Sequence, residues 1–147
     1  LRMLRASNAY RESVAIYKPG QVLAHSSTAK WAEPPATAMG RTLADALAAT
    51  GHFSDVGAAE AILQPGLVLT GELRKFYLDK TASPWTAVCE ARLELRTGGD
   101  YQAVWSGALS AATPLATDSM DALPMAMSSA MGEVASLAAN AMADASK

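Results

Sequence analysis

The run from Thr86 to Arg96 constrains the fold more than any other stretch of the chain. Ala87, Cys89, Ala91, Leu93 and Leu95 alternate there with Val88, Glu90, Arg92, Glu94 and Arg96. Successive side chains of a strand point to opposite faces, so this order puts an apolar row on one face and a ladder of alternating charge on the other. Such a strand is half-buried, and it fits an antiparallel sheet with one face open to water. Its neighbours agree: Leu67–Leu78 and Tyr101–Ala111 are also extended, and the turn residues Ser83-Pro84 and Thr97-Gly98-Gly99-Asp100 separate the three. A three-strand meander is predicted, and its apolar face needs a second layer to cover it.

Two helices are available for that layer. After Pro34-Pro35, a pair suited to a first helical turn, Met39, Leu43 and Leu47 recur at four-residue spacing with Ala36, Ala44 and Ala48 beside them. The spacing predicts a helix of about four turns, with Gly51 taking the left-handed position beyond Thr50. Beyond Thr113-Pro114, Leu123, Met127, Ala130, Val134, Leu137 and Ala141 form one stripe, widened by Met131, Ala138 and Met142. Pro124 is tolerated only in a first turn, which places the start of this long helix near Asp121, whose carboxylate could cap it and suits its dipole. Short strands are expected at Leu1–Arg5, Ser13–Tyr17 and His52–Val56, with Gln21–Ser26 returning antiparallel after the Lys18-Pro19-Gly20 turn. The sum is an α+β architecture: a mostly antiparallel sheet with two helices packed on one face, in two layers. Residues 1–147 suit a single domain of this kind, long enough to bury its own core without disulfides or metal.

Composition narrows the function classes. Twelve Lys and Arg against fourteen Asp and Glu leave a net charge of -2 with no basic run, which disfavours a nucleic-acid partner. Half of the residues are apolar, but 32 of the 147 are alanine, so the pattern carries more information than the total. The single cysteine, Cys89, cannot close an intramolecular disulfide. The charge-free stretch from Tyr101 to Thr117 contains Gly107 and Pro114 and falls short of the ~20 apolar residues that a spanning helix needs.

Candidate chemistry is sparse. His25 and His52 lack a spacing that would pair them with each other or with a thiol as metal ligands. No serine sits in a Gly-x-Ser-x-Gly elbow, and Gly98-Gly99 leads into a strand, where a phosphate loop would lead into a helix. No cofactor is therefore expected. Cys89 reads as a small core residue, and Glu90 and Glu94 flank Arg92 on the solvated face. An enzyme would require two or more of His25, His52, Asp55 and Asp79 to converge in a cleft. Met120, Met125, Met127, Met131 and Met142 cluster on the last helix, where they either fill the core or line an adaptable groove. Met120 and Met125 fall off the main stripe.

One segment is more specific. Lys30-Trp31-Ala32-Glu33-Pro34-Pro35, the helix to Thr50 and then Gly51-His52-Phe53-Ser54-Asp55-Val56 resemble the central signature of the ABC-type transport auxiliary lipoprotein family, the PqiC-like proteins. Downstream, Leu67-Val68-Leu69-Thr70-Gly71-Glu72-Leu73, Ala91-Arg92-Leu93-Glu94-Leu95 and the alanine-rich terminal helix are similar to later elements of that family, so the resemblance spans nearly the whole chain. Physically, Pro34-Pro35 would fix the helix entry, Glu33 would place negative charge near its N-terminus and Trp31 would pin the segment to the sheet. Trp31, Ala32, Glu33, Pro34 and Pro35 also form a candidate docking surface.

The resemblance implies a non-enzymatic periplasmic lipoprotein that works beside an ABC transporter and mammalian-cell-entry-type envelope proteins in moving lipids or other hydrophobic molecules. It implies a lipid anchor, held on a cysteine outside this chain, at a bacterial membrane, in first place the outer one. A second reading is a carrier that binds its apolar cargo between sheet and helices, using the Met-rich face with Trp85, Trp105 or Phe76; it would need a sizeable apolar cavity. Met120, Met125, Trp85 and Trp105 are the candidate ligand or partner face. Homo-oligomerisation is a further expectation, because long edge strands, with Leu1–Arg5 and Leu67–Leu78 as candidates, need covering.

Overall fold

The structure is a computed structural model that describes residues 5–6, 13–17, 24–53, 56–57 and 66–146. Its centre is the alternating segment. That strand, β5 (Thr86–Thr97), lies between β4 (Leu67–Asp79) and β6 (Ala103–Pro114), antiparallel to both. On the far side of β4 run β1 (Arg5–Ala6) and β2 (Ser13–Tyr17), both parallel to it, and β3 (Ala24–Lys30) closes the sheet antiparallel to β2. The spatial order is β3-β2-β4-β5-β6, with β1 beside β4.

The apolar row of β5 is buried from Ala87 through Cys89, Ala91 and Leu93 to Leu95. Register carries this face onto both neighbours: Leu69, Leu73, Phe76 and Leu78 of β4 stand opposite Leu95, Ala91, Cys89 and Ala87, while Trp105, Gly107, Leu109 and Ala111 of β6 continue the same rows. The two halves of β4 share this face only because of a bulge between Leu73 and Lys75, which shifts the alternation by one residue. The opposite face carries the charges. Glu72 stands across from Arg92, Lys75 from Glu90, and Arg96 pairs with Glu94 at 3.3 Å. An exposed checkerboard of this kind sets register more than it stabilises, since each solvated pair contributes about 0–1 kcal/mol.

Both helices cover the apolar face. The first, α1 (Pro35–Ala49), buries Met39, Leu43 and Leu47, and Met39 Sδ lies 3.8 Å from Cys89 Sγ. Gly51 follows at φ 69°, the left-handed position that a glycine takes without strain. The second, α2 (Leu123–Ala145), packs on β5, on β6 and on α1 at once. Contact on two flanks explains why its buried arc is wider than the stripe read from the sequence. Ala126, Ala135 and Ala139 are buried with Met127, Ala130, Val134, Ala138 and Met142, whereas Leu137 is exposed and Ala141 only half-buried. Alanine at these positions lets helix and neighbour approach closely.

Several expected elements move. His52, Phe53 and Val56 are not in a strand; the chain is still occupied with ending α1, for Thr50 Oγ1 donates to Leu47 O and accepts from His52 N–H, and Gly51 N–H donates to Ala48 O. Ser54 and Asp55 lie outside the described residues, as do residues 1–4 and 21–23. The returning strand of the first hairpin is described from Ala24 and runs on to Lys30, beyond the expected end at Ser26, and β6 starts at Ala103 because the turn extends through Tyr101, at φ 55°. Asp121 falls in a 3-10 turn at Met120–Ala122, and no side-chain hydrogen bond caps α2. Of the two expected edge strands, Leu67–Leu78 is internal as β4, whereas β1, described only at Arg5–Ala6, pairs with β4 alone; the ordered path of the sheet ends at β3 and β6.

Candidate functional site

The Trp31–Pro35 box joins the end of β3 to the start of α1. Trp31 is half-buried and meets the fully buried Phe76 ring edge-on, with centroids 5.1 Å apart and planes at 68°. Pro35 is buried at the start of the helix, while Pro34, just before it, is exposed and its carbonyl accepts from Ala38 N–H. Glu33 reaches along the helix to form an ion pair with Arg41. The box thus fixes where α1 leaves the sheet, with Ala32 and Pro34 turned to solvent.

A second constellation forms at the end of the sheet where β5 begins and β6 ends. Asp118 accepts hydrogen bonds from Ser83 Oγ at 2.7 Å and from Trp85 N–H at 2.8 Å, and Trp85 O accepts from Leu115 N–H at 2.8 Å. Lys80 Nζ stands 4.3 Å from the centroid of the Trp85 ring, a cation–π contact. The 3-10 turn and the first turn of α2 follow directly, so the half-buried Met120 and the 81 % exposed Met125 share this end with Trp85. Trp105 does not. It stands opposite Leu95, at the other end of β5 and about 30 Å away along the strand. The four residues read as one apolar face are therefore three and one.

Asp118 is the residue that sequence reasoning missed. It fastens Trp85 from 33 positions away, and nothing local in Thr117-Asp118-Ser119 announces that. The Ser83 hydroxyl, with the Trp85 amide as the second cause, holds its carboxyl below the ordinary carboxylate value of 3.8. A depressed acid stabilises the fold above its unfolded value, and that contribution is lost as pH falls through the lower folded value. An acid titration followed at the Trp85 backbone amide by NMR should show a transition below pH 3.8 that Asp118→Asn abolishes. A transition of equal midpoint and size in the variant would disprove the clamp.

Of the four groups an enzyme would draw on, the two described, Asp79 and His52, lie at opposite ends of the molecule. Asp79 closes β4 and accepts from Thr81 N–H at 2.8 Å, near the start of α2. His52 is exposed at the far end of the molecule, in an open groove of about 500 Å³ that it lines with Thr50, Gly51, Asn140, Ala143 and Asp144, where both helices end. The 23-residue α2 spans about 35 Å between those ends. Asp55 and the His25 side chain lie outside what is described. Cys89 is fully buried, and burial, with Glu90 adding to it, pushes its thiol up to about 12, so it carries no nucleophilic thiolate near neutral pH. Met127 and Met142 are core side chains at 0 % exposure, as is Met39 of α1, and Met120 and Met131 are half-buried against the core, which leaves Met125 as the one exposed member of the cluster. No helix among the described residues is long and apolar enough to cross a membrane.

A family model described as the ABC-type transport auxiliary lipoprotein component matches residues 8–139, the box included. The chain belongs to that family. Among solved structures, this auxiliary lipoprotein is similar to XCC0632 of Xanthomonas campestris, a DUF330 protein, with TM-score 0.86 and 19% identity over 99% of this chain and 83% of the other. It is similar in fold to the PelC dodecamer of Paraburkholderia phytofirmans, with TM-score 0.53 and 20% identity over 92% and 86% of the two chains. CT253 of Chlamydia trachomatis shares the fold at TM-score 0.52 and 10% identity, over 97% and 98%. No curated protein matches the chain.

Proposed function

We propose that this auxiliary lipoprotein is a non-enzymatic accessory subunit, residues 1–147 forming one domain. It is held by an N-terminal lipid in the periplasm, in first place at the outer membrane, and serves an ABC transporter with mammalian-cell-entry-type partners in moving lipids or other hydrophobic molecules. The observation that carries the reading, beside the family itself, is the filled interface between the layers. Met39, Leu43, Phe76, Leu93, Met127, Val134 and Met142 occupy the space where a carried apolar molecule would have to sit, each 2 % exposed or less. A domain packed in this way offers its partners a surface. Two surfaces suit docking: the box, through Ala32 and Pro34 beside Trp31, Glu33 and Pro35, and the Trp85 end with Met120 and Met125. The assembled state of PelC supports self-association of this chain as well.

Native mass spectrometry of the lipidated protein, with and without its transporter components, tests the reading. Stoichiometric protein association with no lipid retained beyond the anchor is the expected result, weakened at least tenfold by Met125→Glu combined with Trp85→Ala. Lipid retained on the domain without any protein partner would replace this reading with that of a carrier.

A further inference from the structure

The two ends of the sheet differ in kind. β6 is twelve residues long, and from Ala103 to Pro114 it contains no charged side chain. Every other long strand is charged: β4 carries Glu72, Arg74, Lys75 and Asp79, and β5 alternates Glu with Arg. Yet β4 and β5 are internal, while β6 pairs with β5 alone and, among the described residues, no strand meets its outer edge. Natural sheets guard a long edge with lysine, inward charges, proline or a bulge, because unpaired N–H and C=O groups recruit another strand. Along Trp105–Thr113 β6 has none of these; its bulge beside Val104 and its Pro114 lie at the two ends of the strand.

We infer that the outer edge of β6 is a self-association surface, where a second copy of this chain adds its own β6 antiparallel about a two-fold axis at Ala108. The pleat limits the choice of register, since only pairings that keep like faces together bury the right side chains. With the axis at Ala108, Trp105 stands opposite Ala111 of the second copy and Leu109 opposite its Gly107, so a large side chain meets a small one at each helix-facing position. On the other face Ser106 meets Ser110 and Ala108 meets Ala108, with no charge opposing another. Moving the axis one residue to Gly107 would set Trp105 against Leu109. Gly107 has a further reason to be glycine, because a Cβ there would lie 2.8 Å from Trp105 Cζ2; the indole reaches over Gly107, opposite which Leu109 of the second copy would stand.

The size of the contact favours this occupant over a head-to-tail one. Pairing β6 with the other sheet end, β3, would engage seven residues and leave the rest of β6 unpaired. Pairing with itself uses nearly the whole strand and closes about ten backbone hydrogen bonds, the complement of an ordinary protein interface. A shared patch that is its own partner is also what two-fold assembly requires. The inference names the surface for the self-association proposed above and is independent of any role in transport.

Two substitutions at exposed positions test it on the 147-residue chain. Ala108→Cys places two thiols in a directly opposed pair, at a Cα separation of about 4.5–5.5 Å that a disulfide spans. Mild oxidation should therefore give a covalent dimer on a non-reducing gel. Ser110→Cys should give none, because its equivalent in the second copy is about 14 Å away along the strand. Cys89 is buried and does not interfere. Ala108→Lys opposes two like charges and should raise the dimer dissociation constant at least tenfold in sedimentation equilibrium, with an unchanged circular dichroism spectrum. A monomer at all concentrations would overturn self-association. An oligomer in which Ala108→Cys fails to cross-link, or cross-links no better than Ser110→Cys, would overturn this surface while leaving self-association and the transport role standing.

Discussion

Phe76→Ala is expected to lower the unfolding free energy by about 3–5 kcal/mol, the range for removing a buried aromatic ring. Phe76 is 2 % exposed and faces the helices from the second half of β4. Its truncation removes dispersion contacts, and the gap closes poorly because Cys89, opposite it, is held by the β5 ladder and lies against Met39 of α1. The same change also strips Trp31 of the ring it meets edge-on. The loss should therefore couple to the box. In a double-mutant cycle Trp31→Ala and Phe76→Ala should show an interaction of about 0.5–1.5 kcal/mol, the usual worth of an aromatic pair beyond its area. Urea denaturation of the four proteins measures both quantities. A loss below about 2 kcal/mol for Phe76→Ala would mean that the core relaxes around the cavity. Strict additivity with Trp31→Ala would mean that the box is pinned by something other than Phe76.

How far such reasoning could be carried from sequence alone depended on whether a signal was local. The β5 alternation reports burial directly, because a strand with period two has one choice of face, and its five apolar residues are all buried. The α1 stripe was legible for the same reason. The β4 bulge was hidden, although Arg74-Lys75 between Leu73 and Phe76 breaks the alternation and is the kind of mark a bulge leaves. Leu137 misled because a periodicity argument assumes one buried flank, and α2 has two. The parallel placement of β1 and β2 beside β4 had no sequence signal at all; it is a long-range choice made by packing.

The candidate sites divide along the same line. The box was legible as the entry to α1 because its residues are contiguous. Separating Trp85 from Trp105 needed only hairpin arithmetic, since one residue precedes β5 by a single position and the other faces its far end. The Asp118 clamp was beyond reach, because it joins two loops 33 residues apart through a carboxylate that looks like any other in the chain.

The alkaline limb of stability is where Cys89 should dominate. Burial, aided by Glu90, raises its thiol from 9.0 to about 12. In the unfolded chain the thiol ionises near 9, so above that pH the folded state holds a proton the unfolded state has lost, and stability falls as pH rises. The contribution is complete below pH 9 and disappears on passing through the folded value near 12. The slope between is about 1.4 kcal/mol per pH unit, so roughly 4 kcal/mol is at stake across the window, a large share of the stability of an ordinary domain. Cys89→Ala isolates the effect. It leaves a small cavity whose cost does not depend on pH, while tyrosines and lysines titrate alike in both proteins and cancel in the difference. Equilibrium denaturation at intervals between pH 8.5 and 11 should therefore show the native protein losing its advantage over Cys89→Ala steadily above pH 9. In parallel, a thiol reagent at pH 8 should label the folded protein only as fast as it opens, since the thiolate attacks and the core excludes it. A constant stability difference across that pH range, or prompt labelling of the folded chain, would place Cys89 in a wetter setting than the space between β5 and α1.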